Sequence, residues 1–201
     1  MVARNVERLE ALQKELKETY NVNVEYLSVD LSRRENSIDL HSKVKNIDIL
    51  VNNAGLGDFG EFSETELTKD FSIIDTNVTS VHVLTKLYLK DMREKNSGKI
   101  LNVASIAGFL PGPLMATYYA SKNYVVRLSE SIREELKKAK SNVKISILCP
   151  GPVKTNFNNV ANVKFELSSL TSEYVAEYTV KQLLKDKFSF NPFSISNLSS
   201  N

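Results

Sequence analysis

Tyr118-Tyr119-Ala120-Ser121-Lys122, with Ser105 thirteen residues before the tyrosine and Pro150-Gly151-Pro152 after it, sets out a proton-transfer site along the chain. If residues 116–140 form a helix, Tyr118 and Lys122 lie one turn apart on one face, where the ammonium can hold the ionised phenol. A free tyrosine, with a pKa near ~10, is a poor general base. An adjacent positive charge moves it toward the working pH, and Lys122 would supply that charge. Tyrosine and lysine four apart are also common as a packed ring beside a solvated stem, so the pair gains its meaning from what surrounds it. Asn52-Asn53-Ala54-Gly55 follows the apolar run Ile47–Val51, Asn77 lies in a long helical pattern, and Ser105 and Pro150 each follow a further apolar run.

The elements around these residues alternate. Val6, Leu9, Leu12 and Leu16 have helical spacing behind Asn5, a candidate N-cap. Val22–Val29, Ile47–Val51, Lys99–Ala104 and Val143–Leu148 read as strands. Ser63-Glu64-Thr65-Glu66 reads as a capping box opening a helix with Leu67, Phe71, Ile74, Val78 and Val81 on one stripe. Helices are also expected after Met115 and over Ser172–Lys185, while Asn156–Leu170 has no clear periodicity. Such alternation predicts an α/β fold with a parallel sheet covered by helices on both faces and ligands bound beyond the carboxyl ends of the strands.

Five motifs in this order resemble the short-chain dehydrogenase/reductase family, over Met1 to about Lys187. The resemblance implies a Rossmann-type doubly wound sheet, incomplete here: no glycine-rich turn precedes the first helix, and Met1–Ala3 corresponds to the family's second strand. The family's last strand is not recognisable in Phe188–Asn201 either. Residues 1–187 are therefore expected to form a partial domain and residues 188–201 a disordered tail. Loss of the first strand would leave two strand edges open.

By that resemblance Tyr118 is the general acid in carbonyl reduction and the base in the reverse direction. Lys122 lowers its pKa and binds the nicotinamide ribose. Ser105 holds the substrate oxygen, and Asn77 holds a water near Lys122. Asp30, Leu31, Asn53, Ala54 and Gly55 would line the adenosine, and Pro150, Gly151, Val153 and Thr155 would border the nicotinamide. Arg4 falls where NADP-preferring members place a basic residue, so NADP is the expected cofactor, with NAD the alternative. Taken singly, Ser105 also fits a strand-end turn, Asn77 a solvated helix face and Arg4 a solvated arginine. Asn156–Leu170 would form a lid, and Pro111, Gly112, Pro113 and Met115 the substrate entrance. The implied activity is oxidoreduction of a small-molecule carbonyl or alcohol, by a homo-oligomer assembled through its two long helices. A second reading is a catalytically silent scaffold that binds no dinucleotide.

Bulk properties are compatible with both. The 201 residues, 42% hydrophobic, suffice for one core. The 26 basic and 24 acidic residues are interspersed, giving no nucleic-acid patch. His41 and His82 have no ligands at metal spacing. Cys149, the one cysteine, cannot form an internal disulfide and suits a reducing compartment. No run of ~18 apolar residues suggests a membrane span. The chain reads as cytoplasmic.

Overall fold

A computed structural model describes residues 1–155, 157, 161 and 169–193. Much of Asn156–Leu170 and residues 194–201 of the expected tail lie outside the described residues. In chain order the elements begin β1 (Val2–Ala3), α1 (Val6–Tyr20), β2 (Leu27–Ser28), α2 (Arg34–Lys43) and β3 (Ile49–Asn52). Helix α3 (Leu67–Ile74) runs through a one-turn π-bulge (Asp75–Thr79) into α4 (Ser80–Lys95). Then come β4 (Lys99–Val103), a 3₁₀ turn (Ile106–Phe109), α5 (Ala116–Lys138), β5 (Lys144–Leu148), β6 (Val153–Lys154), β7 (Leu170–Thr171), α6 (Ser172–Leu184) and β8 (Ser189–Phe190).

The central sheet has the order β3-β4-β5-β8, every pair parallel. Alternation along β4 assigns its two faces. Ile100 packs with Leu50, Leu84, Tyr88, Met92 and Leu136 on the α4/α5 side, and Leu101 packs with Leu148, Val175, Leu183 and Phe190 on the α6 side. Strands buried on both faces are the expected cost of helix crossovers, and they explain the near-continuous apolar runs. A polar thread crosses this apolar layer: the Asn52 amide donates to Thr85 Oγ1 at 3.0 Å and to Asn102 Oδ1 at 2.9 Å, and Asn102 donates to Ser129 Oγ at 2.9 Å. It fixes β3, β4, α4 and α5 relative to one another beneath the site.

Strands β1 and β2 form a separate parallel pair. No strand stands between β1 and β3 among the described residues. The expected absence of the last strand is overturned. Ser189 and Phe190 pair in parallel with Ile147 and Leu148, and Phe190 is buried. Two residues are too short to display alternation, and burial of one phenylalanine between α6 and β5 holds them. The assignment of residues 188–201 to a disordered tail therefore fails at least for Ser189–Phe190.

The helix starts follow local chemistry. Asn5 caps α1, its side chain accepting from Arg8 N at 2.8 Å, as expected. Ser63 does not cap α3. The Glu64 and Thr65 amides are taken by the Glu61 carbonyl in a preceding turn, so the helix begins at Leu67 without a side-chain cap.

Candidate active site

Three strand ends and two helices bring the chemistry together. Ser105 follows β4 and caps the 3₁₀ turn, its Oγ accepting from Ala107 N at 3.1 Å and donating to Pro150 O at 3.3 Å. The Ile106 amide donates to the same carbonyl, which fastens the end of β4 to the end of β5. The strand-end turn reading of Ser105 is thus correct as geometry, and the same hydroxyl also bonds the Tyr118 phenol.

Tyr118 and Lys122 lie in α5 with the one-turn spacing expected, Lys122 Nζ standing 5.8 Å from the tyrosine ring centroid. Lys122 is buried, and its ammonium donates to Val103 O at 3.0 Å. Its other N–H groups remain available among the described residues. Burial brings its pKa down to about 8. Tyr118 departs from the expected direction: burial pushes the phenol above its ordinary value, opposed by the bond to Ser105. Desolvation of the phenolate outweighs that bond, and the neighbouring Tyr119 adds to the rise.

Asn77 is fully buried in the π-bulge, which excludes a solvated helix face. Its Oδ1 accepts from Leu56 N at 2.8 Å, and its amide donates to Leu56 O at 2.8 Å and Ser121 Oγ at 2.9 Å. Both N–H groups are thereby spent, so the observed work of the side chain is to pin the loop after β3 to α5. Ser121, which sequence reasoning did not single out, completes the link by donating to Tyr118 O at 2.6 Å. Gly55 lies against this junction: a Cβ there would stand 3.3 Å from Lys122 Nζ and 3.5 Å from Asn77 Oδ1.

Arg4, Asp30, Leu31, Asn53, Ala54 and Gly55 line the carboxyl-end portion of one cavity of about 740 Å³ that runs along β1 and β3. Asp30 accepts from Ser32 N at 3.0 Å and Ser32 Oγ at 2.8 Å, bonds that hold its carboxyl below the usual range. Ser105, Tyr118 and Lys122 are not in that wall; Gly55 is where the two groups meet. Pro150, Gly151, Val153 and Thr155 lie on the far side of Ser105. Pro150 is tied to Ser105, Gly151 abuts the Phe193 ring, Val153 pairs with Leu170 in β6–β7, and Thr155 Oγ1 accepts from Phe157 N. The Phe157 ring lies 5.2 Å from that of Tyr118, and Gly57 leaves it room, since a Cβ there would come within 2.7 Å.

No metal-binding cluster and no helix long and apolar enough to cross a membrane occur among the described residues. Burial also raises Cys149 to about 11, consistent with an inert thiol.

A doubly wound α/β fold thus gathers serine, tyrosine and lysine side chains near the ends of parallel strands. The chain belongs to the short chain dehydrogenase family, whose model matches residues 1–164. It is 31% identical over 161 residues to the 3-oxoacyl-[acyl-carrier-protein] reductase FabG of Rickettsia prowazekii, covering 80% of this chain and 64% of that protein. It is also 31% identical over 187 residues to human 17-beta-hydroxysteroid dehydrogenase type 3, covering 88% of this chain and 57% of the relative. The chain thus spans less than two thirds of either. Among solved structures, a short-chain dehydrogenase from Sphingobium yanoikuyae in complex with NADPH superposes with a TM-score of 0.90 at 25% identity, covering 96% of this chain and 77% of that one.

Proposed function

We propose that this site interconverts a carbonyl and an alcohol with a nicotinamide dinucleotide. The observation that carries the reading is the convergence of Ser105, Tyr118 and a Lys122 with unspent donors beside a cavity of ligand size. The residues present fit the group: Asp30, Leu31 and Asn53–Gly55 border that cavity, and Lys122 faces its edge at Gly55. The bound dinucleotide supplies or takes up the hydride.

Tyr118 donates its phenolic proton to the carbonyl oxygen as negative charge develops there, and Ser105 donates a second hydrogen bond to the same oxygen. The raised pKa keeps Tyr118 protonated at neutral pH, which suits reduction. Lys122 stabilises the phenolate left behind and bonds the nicotinamide ribose. In the reverse direction the phenolate takes the alcohol proton. Asn77, through Ser121, holds Tyr118 and the loop of Gly55 in register; a water bound near Lys122 would extend the relay.

Arg4 supports NADP over NAD through the 2′-phosphate. Pro150, Gly151, Val153 and Thr155 border the nicotinamide. By their names the relatives point to 3-oxoacyl and ketosteroid carbonyls as the first substrates to try. Pairing of two chains through the long helices and a cytoplasmic location complete the reading.

The second reading is a catalytically silent scaffold that binds no dinucleotide. Oxidation of NADPH and NADH in the presence of 3-oxoacyl thioesters and 17-ketosteroids, with calorimetric titration of both dinucleotides, separates them. Carbonyl-dependent oxidation supports the enzyme, whereas neither turnover nor binding supports the scaffold.

A further inference from the structure

The loop that joins Ser105 to Tyr118 carries no charge. None of residues 106–121 is acidic or basic, in a chain that is 25% charged overall. Nor are the loop's apolar side chains spent on the core: Phe109 is 49% exposed and Leu110 60%, and Ile106 and Leu114 are exposed as well. At its far end Gly60 N donates to Leu114 O at 2.8 Å, which brings exposed Phe62 alongside. The carboxylates beside this junction are engaged elsewhere. Asp70 Oδ1 accepts from Thr117 Oγ1 at 2.6 Å, and Asp58 pairs with Lys69 at 3.7 Å.

The rim is built rather than slack. Gly112 lies against the Tyr119 ring with no room for a Cβ, and Leu114 is held at a φ of 65°, which a leucine adopts only where its surroundings impose it. Ser105 and Tyr118 bracket the loop, so an uncharged apolar surface runs from one reacting group to the other. Large exposed apolar side chains gathered at the mouth of a site mark a surface that a ligand covers.

Inside the rim, Phe157 sets the width. Its ring centroid lies 5.2 Å from that of Tyr118 with the planes 48° apart, while Tyr119 meets Tyr118 at 6.0 Å and 77°. A flat ring system inserted between two aromatic faces needs two layers of van der Waals contact, about 7 Å. The space between Phe157 and Tyr118 admits none. Phe157 has no retreat toward Gly57 either, because its ring and fully buried Ala161 both close on that glycine. An extended methylene chain needs only one such layer and can pass along the ring edges.

We propose that the substrate of this site is a carbonyl carried on a long, unbranched apolar chain, which lies along the rim of Phe109, Leu110 and Leu114, while Phe157 excludes fused-ring ketones. The inference rests on the reading above for its reacting group, and on the rim and Phe157 for its shape.

The test uses the full chain with two thioesters, acetoacetyl- and 3-oxodecanoyl-N-acetylcysteamine, and one 17-ketosteroid, androstenedione. Six added methylenes, each about half covered by a one-sided rim, should tighten binding on the order of 60-fold in calorimetric titration. The ten-carbon thioester should also bind at least tenfold more tightly than the steroid, and NADPH oxidation should rank the three compounds in the same order by kcat/KM. Phe157→Ala should narrow the chain-to-steroid ratio at least tenfold, and Leu110→Asp should lower the chain-length ratio at least fivefold, both with unchanged circular dichroism. Chain-length-dependent binding without carbonyl-dependent oxidation would refute the chemistry of the preceding section and uphold the chain selection. The proposal is overturned if the ten-carbon thioester does not bind, if the two thioesters bind equally, if the steroid binds as tightly as the longer thioester, or if Phe157→Ala leaves the chain-to-steroid ratio unchanged.

Discussion

Lys122 should make the folded chain more stable as the solution becomes alkaline, and Lys122→Met should remove that dependence. The folded pKa is about 8 against an ordinary 10.5, because the ammonium is buried. Below about pH 8 the lysine is charged in both states and the fold bears the full cost of the buried charge. Between the two values the unfolded chain binds more protons than the folded one, so stability rises with pH. Above 10.5 the lysine is neutral in both and the gain is complete. From near pH 7 to near pH 10 the wild type should gain about 2.5 kcal/mol relative to Lys122→Met, on the order of 1 M in urea midpoint. Urea unfolding of both proteins at the two pH values reads this difference directly, because titration of the remaining side chains cancels between them. Parallel pH dependences for the two proteins would refute the reasoning and place the Lys122 ammonium in contact with water.

Further outcomes follow from the same geometry. Asn77→Ala strips the Leu56 N–H, the Leu56 C=O and Ser121 of a buried partner and should cost about 3 kcal/mol in urea unfolding, against under about 0.5 for Asn53→Ala at an exposed position; equal midpoints would show that the link bears no weight. Arg4→Asp should shift steady-state preference from NADPH toward NADH, since a carboxylate repels a 2′-phosphate. An unchanged selectivity ratio would leave Arg4 as a surface residue. Carbonyl reduction should decline as pH rises through about 8, as Lys122 loses its charge; a flat pH–rate profile there would remove the lysine from the relay.

The spacing of the candidate site was legible because it is local: a helix repeat puts Tyr118 beside Lys122, and strand ends mark Ser105 and Pro150. What escaped depends on long-range contact or on irregular backbone. The π-bulge carries Asn77 into the core from a position that ideal helical spacing leaves beside the apolar stripe. Ser121 reads as an ordinary helix serine until Asn77 is opposite it, 44 residues away in sequence. Asn52 and Asn102 look misplaced in apolar strands, and only their mutual bond and those to Thr85 and Ser129 explain them. The raised Tyr118 pKa is likewise a property of packing, since the sequence does not show the burial of the phenol. Strand β8 is too short for periodicity, and the Ser63 capping box is pre-empted by a turn.

The central claim is that Tyr118 transfers the proton. Tyr118→Phe removes that proton and little volume, so NADPH oxidation with the best carbonyl from the panel should be compared for wild type and variant at the highest soluble dinucleotide concentration. The account predicts a rate at least about 10²-fold lower for Tyr118→Phe, with dinucleotide affinity within about twofold of wild type. Retention of more than about a tenth of the wild-type rate would contradict it.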